Sequence, residues 1–130
     1  MSGSLVDVGS GNGCPGIPLL VGRHLRAAHL VEARVKRAAF LRHVAARLGA
    51  ENIIVHKERL EDMTAAPDVD WVTLQGVRPT ATLIEALRRL FSSTTRVVWV
   101  TSVDSVMTPG TTIEVPESNT VAEVFELDQF

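Results

Sequence analysis

This 130-residue chain has one cysteine, no tyrosine and only 5% aromatic residues. A lone Cys14 excludes an internal disulfide and points to a reducing compartment. The four histidines and this cysteine show no metal-ligand spacing, so no resident metal is expected. No apolar run approaches the roughly 18 residues of a membrane span. The apolar run from Leu5 is broken by Asp7 and the glycines after it, so no signal-peptide pattern is seen. The expectation is a cytoplasmic protein. An excess of either charge is lacking too: 13 Lys and Arg oppose 15 Asp and Glu, for a net charge of -2. That balance supplies no general attraction to phosphate, so any nucleic-acid contact must come from a local patch. No base stands beside Cys14 in the sequence, which therefore reads as a small loop residue rather than a nucleophile. No repeat, linker or low-complexity segment divides the chain. At this length and 45% apolar content, residues 1–130 are expected to form one domain with a real core.

What the chain does have is a glycine-dense stretch near its start. Leu5-Val6-Asp7-Val8 reads as a strand, Gly9-Ser10-Gly11-Asn12-Gly13-Cys14 as a loop, and Pro15-Gly16-Ile17-Pro18 as a helix opening. Glycine lets a ligand approach the backbone closely, and the amides at a helix start face that ligand. Two registers are possible. Gly11 to Gly16 fits the dinucleotide pattern G-x-G-x-x-G, but it would bury Asp7 inside a parallel strand, where an unpaired carboxylate is expensive. Read from Gly9, Asp7 falls at the strand's carboxyl end, where ligands of open α/β sheets bind. Asp7-x-Gly9-x-Gly11-x-Gly13 then matches the first motif of S-adenosylmethionine (SAM) methyltransferases, with these four residues beside the methionine and ribose parts. A tight turn without a ligand is the plainer alternative; three alternate glycines behind a carboxylate argue against it.

The rest alternates strands and helices. A short helix is expected over Gly16 to Leu25 and a second strand over Ala27 to Glu32. Glu32 stands 21 residues after Gly11, about the spacing at which an acid reaches ribose hydroxyls. Ala33 to Leu48 is the clearest helix, with Phe40, Leu41, Val44, Ala45 and Leu48 expected to face the sheet and Gly49 to end it. Arg34, Lys36, Arg37, Arg42, His43 and Arg47 form the only basic cluster, either a guide for a phosphate backbone or a solvated face. Strands are expected at Ile53 to His56, Asp70 to Leu74 and Arg96 to Thr101. Arg59 to Asp62 reads as a turn at the same sheet edge, able to hold an adenine ring. A helix runs from Pro79 to about Phe91, with Leu83, Ile84, Leu87, Leu90 and Phe91 inward. There is little room for a helix between Thr101 and Thr111. Thr111 to Val115 and Thr120 to Leu127 read as a hairpin. The expected class is therefore α/β: a Rossmann-like, mostly parallel sheet with an antiparallel C-terminal hairpin.

Val6 to Leu19, Leu30 to Arg42 and Glu51 to Asp62 together resemble the glucose-inhibited division protein B family, whose members methylate N7 of a guanine in bacterial small-subunit ribosomal RNA. The Pro-Gly-Ile-Pro after the glycine loop makes the match specific. The resemblance implies the class I methyltransferase sheet, SAM as cofactor and ribosomal RNA as partner. It puts Gly9 and Cys14 on cofactor-contacting loop positions, Leu60 and Glu61 beside the adenine, and Glu32 on the ribose. It also shows departures. Gln75 stands where the family has an arginine after the fourth strand, and a glutamine carries no charge to stabilise an anion. The family's lysine-glycine after the fifth strand is replaced by Thr101-Ser102-Val103, and its amino-terminal helical extension is not matched.

The leading expectation is a SAM-dependent methyltransferase of ribosomal RNA, with Arg34, Lys36, Arg37 and Gln75 on the substrate side. No catalytic base, nucleophile or metal is named, because catalysis by placement needs none. A reduced paralogue that serves as a SAM-binding or interaction module, a small-molecule methyltransferase and an NAD-binding domain are the alternatives. Self-association is left open.

Overall fold

The computed structural model describes residues 3–9, 13, 16–22, 25–102, 111–114 and 116–129. Gly11, Cys14, Val115 and the segment after Ser102 lie outside the described residues, and with them the expectations for those positions.

The elements are β1 (Ser4–Val8), α1 (Gly16–Val21), β2 (Ala27–Val31), α2 (Val35–Leu48), β3 (Ile53–His56), β4 (Trp71–Gln75), α3 (Ala81–Leu90), β5 (Arg96–Ser102), β6 (Thr111–Glu114) and β7 (Thr120–Glu126). A 3₁₀ turn spans Leu60–Asp62. One seven-stranded sheet has the order β3-β2-β1-β4-β5-β7-β6. The pairings from β3 to β5 are parallel, whereas β7 runs antiparallel to both β5 and β6. The mostly parallel sheet with an antiparallel C-terminal hairpin is thus borne out. Among the described residues, no helix is long and apolar enough to cross a membrane.

Alternation along the strands sorts the core onto two faces. Val6, Val8, Val72, Leu74, Val97, Trp99 and Phe125 pack with Leu83 and Leu87 of α3. Leu5, Ala28, Leu30 and Ile53 pack with Leu20 of α1 and Leu41 and Ala45 of α2. Each fully buried leucine contributes about 1.5–3 kcal/mol.

Several element limits and faces differ from expectation. Helix α1 stops at Val21, where the Gly22 N–H still donates to the Pro18 carbonyl at 3.0 Å. Strand β2 ends one residue before Glu32, while β4 extends through Gln75. Helix α2 buries Ala38, Leu41 and Ala45, but leaves Phe40 and Leu48 about half exposed. The reason is angular: at 3.6 residues per turn, positions 38, 41 and 45 share a narrow stripe, and Phe40 lies well around the helix from it. Gly49 adopts φ 62° and caps α2 as expected. Helix α3 starts after Thr80, whose Oγ1 accepts the Leu83 N–H at 3.2 Å, so the cap is Thr80 rather than Pro79. It buries Ala86 in addition to Leu83 and Leu87, and holds Ile84 and Leu90 half-buried.

His29 on β2 and His56 on β3 bring Nδ1 and Nε2 to 3.0 Å with their rings stacked. Burial, and then His56, push His29 below its ordinary value of 6.5. As pH falls through that ordinary value, the unfolded chain takes up a proton that folded His29 resists. Stability is therefore fully present above about pH 6.5 and declines below it. Urea midpoints at pH 7.5 and 5.5 should show a larger acid loss for the wild type than for His29→Thr; equal losses would discount the pair.

Candidate cofactor site

Asp7 lies one residue before the end of β1 and is 1% exposed. Such burial of a carboxylate demands partners. Its Oδ1 accepts the Thr73 hydroxyl of β4 at 2.9 Å, and its Oδ2 accepts the Gly16 N–H at 3.3 Å. Asp7 thereby clamps the return of the glycine loop to the middle of the sheet. Glycine suits that approach: a Cβ at Gly16 would come 2.7 Å from Leu30 Cδ2, so the buried leucine would have to shift. Thr73 had no assigned role in the sequence reading, because nothing local links positions 7 and 73.

The chain leaves β1 at Gly9, which has φ 68° and donates its N–H to the Val31 carbonyl at 2.9 Å. An added Cβ would strain that backbone and meet Val77 Cγ2 at 3.0 Å. The strand thus ends at Val8, as the register starting from Gly9 requires. Gly13 is buried, and its carbonyl accepts the Ile17 N–H at 2.8 Å to start α1.

Glu32 follows β2 directly and is 6% exposed. Its N–H donates to the His56 carbonyl at 2.9 Å, and its Oε2 accepts the Arg34 N–H at 3.1 Å. The carboxylate is thus held at the mouth of α2, where the helix dipole favours an anion. Leu60 turns its side chain into the core and is 1% exposed. Glu61 is half-buried beside it. Arg89 of α3 fixes this turn, donating Nη1 to the Met63 carbonyl at 2.7 Å and Nη2 to the Glu61 carbonyl at 3.2 Å. Arg89 was also missed in the sequence, where it reads as one more surface cation.

Two clefts open at this edge and share Val77 and Arg78. One, about 630 Å³, is lined by Arg59, Glu61, Asp62 and Thr80. The other, about 450 Å³, is lined by Gln75, Pro79, Val100, Thr101, Asn119 and Thr120. A further cleft of about 570 Å³ lies at the opposite end of β4 and β5, beside Asp70, Trp71 and Arg96. Parallel sheets bind ligands at strand carboxyl ends, so the first two define the candidate site. The fold brings Asp7, Gly9, Glu32, Leu60, Glu61 and Gln75 to this edge. Arg34, Lys36 and Arg37 are exposed where α2 begins.

Comparison with known proteins accords with this geometry. The family model for rRNA small subunit methyltransferase G matches residues 1–105. The chain belongs to this family. Its relative of that name from Helicobacter pylori strain J99 is 42% identical over 86 residues, covering 66% of this chain and 48% of the relative. The chain therefore spans about half the length of the methyltransferase G relatives it matches. Among solved structures, the putative methyltransferase YhhF from Escherichia coli superposes with a TM-score of 0.76 at 15% identity, over 93% of this chain and 74% of that one. A mutant of MtNAS in complex with S-adenosylmethionine superposes with a TM-score of 0.71 at 17% identity, over 95% of this chain and 54% of that one. Such neighbours give the chain the class I methyltransferase fold.

Thr73→Val removes the donor to a buried carboxylate while keeping the side-chain shape. Loss of the bond should cost about 1–3 kcal/mol. Denaturant unfolding checks it, and an unchanged midpoint would show that Asp7 does not depend on Thr73.

Proposed function

We propose that this chain forms the cofactor-binding part of a SAM-dependent methyltransferase that modifies guanine N7 in small-subunit ribosomal RNA. The carrying observation is the carboxyl-edge junction, where Gly9 turns against Val77, Glu32 closes β2 and two clefts meet at Val77 and Arg78. The residues present fit a nucleoside-bearing cofactor. At Gly9 a Cβ would close the space toward Val77. A carboxylate held at the end of β2 suits a pair of ribose hydroxyls.

In this reading the glycine loop, with Gly9, Gly11, Gly13 and Cys14, lies along the methionine part. Asp7 fixes the loop from below. Glu32 holds the ribose, and the Leu60 main chain and Glu61 border the adenine. When bound, SAM supplies a sulfonium methyl group as the electrophile. Guanine N7 carries a lone pair and no proton, so no general base is needed. The chain's task is orientation: Gln75 donates or accepts one hydrogen bond at the acceptor cleft. Arg34, Lys36 and Arg37 offer cations to RNA phosphates. Small-subunit RNA is taken from the name the family and its relatives carry, guanine N7 from the resemblance of the motifs, and the cofactor finds support in the SAM-bound neighbour. A cytoplasmic location follows from a ribosomal acceptor. A binding module without methyl transfer is the second reading, favoured by the neutral Gln75 in a position the family fills with arginine.

Calorimetric titration with SAM and its demethylated product tests the cofactor assignment. The wild type should bind, and Glu32→Gln should bind about 10- to 100-fold more weakly, as expected for one lost charged hydrogen bond. Absence of wild-type binding would sink the reading. Transfer of labelled methyl to small-subunit RNA then separates an enzyme from a binding module.

A further inference from the structure

Helix α2 carries a charge pattern that its fold does not use. The segment from Ala33 to Ala50 holds five of the chain's 13 Lys and Arg residues and none of its 15 acids. The other eight Lys and Arg share the rest of the chain with all 15 acids, so this helix is a net-positive segment on an otherwise acidic chain. Lys36, Arg37, His43 and Arg47 are all exposed. Among the described residues, no hydrogen bond or ion pair engages these four side chains. Lys36, Phe40, His43 and Arg47 follow a spacing of four, three and four, which aligns them along one helix face. Phe40 stands in the middle of that line, 51% exposed. A phenylalanine left about half exposed between cations keeps part of its ring uncovered and offers it to something outside.

The line has a direction. Its near end is tied to the candidate site, because Glu32 Oε2 accepts the N–H of Arg34 at the mouth of α2. Its far end, Arg47, lies in the last turn of a 14-residue helix. At 1.5 Å per residue the helix runs about 21 Å away from the site. That length spans several backbone phosphates.

We infer that the outer face of α2 is a docking track for RNA, with Lys36, Arg37 and Arg47 on phosphates and an unpaired base stacked on Phe40. Charge complementarity selects a polyanion. The central aromatic selects one whose bases are accessible, since single-stranded segments stack on such rings. The track rests on RNA being the acceptor, and it extends the contact well beyond the methyl-transfer cleft.

Anisotropy titration of a labelled RNA stem–loop against increasing salt tests the track. Variants are Lys36→Ala with Arg47→Ala, Phe40→Ala, and Arg26→Ala as an exposed cation elsewhere. Alanine is favourable in a helix, so the α2 variants should fold, which thermal melts check. The double variant should weaken binding and flatten the slope of log K against log salt by about 0.7–0.9 per lost contact. Phe40→Ala should weaken binding about five-fold or more with the slope unchanged. SAM titration should be the same in all four proteins. A double variant that binds RNA like Arg26→Ala overturns the track while the methyltransferase reading stands. Phe40→Ala binding as tightly as the wild type overturns the stacked base. A wild type that takes SAM but no RNA overturns both the track and the RNA acceptor.

Discussion

One buried carboxylate organises the site. Asp7 joins three elements at once: it stands on β1, accepts from Thr73 on β4 and receives the Gly16 N–H at the start of α1. Burying that charge is costly unless it is paired, so the cost itself selects the arrangement that pairs it. With the loop's return held at Gly16 and its exit turned at Gly9, the glycine segment is bracketed on both sides.

The same edge collects the other candidate residues for a topological reason. In parallel strands all carboxyl ends point one way, so Gly9, Glu32 and Gln75 meet although they lie far apart in sequence. The antiparallel β7 then brings its first residue, Thr120, and Asn119 before it to that same edge. Arg89 adds a brace from α3, fixing the turn that carries Leu60 and Glu61. The two faces of the sheet are not covered alike. Val98, Val100, Ala122 and Val124 are half-exposed and belong to neither core cluster, whereas the alternate residues Val97, Trp99 and Phe125 are buried.

Charge is also divided by place. The net charge of -2 conceals a helix with no acid on it. Averages over a chain report solubility and gross attraction; a surface is recognised by what stands together on it. Here one helix face carries cations and an aromatic ring, and its near end adjoins the carboxylate of Glu32.

The sequence by itself determined the strand–glycine–helix unit, the alternation that makes a mostly parallel sheet, the C-terminal hairpin and the Gly49 cap. Each rests on local chemistry: hydrophobic period, glycine at positive φ, a stop after an apolar run. It also marked Asp7, Gly9 and Glu32 through their spacing. Only the tertiary structure decided that Asp7 is held by Thr73, that Leu60 is buried in the core, that Arg89 braces the turn and that Phe40 is left half exposed. Those facts depend on which strand lies beside which and on how far each helix is rotated against the sheet. Both are set by long-range packing of the whole core, which no short window of sequence contains.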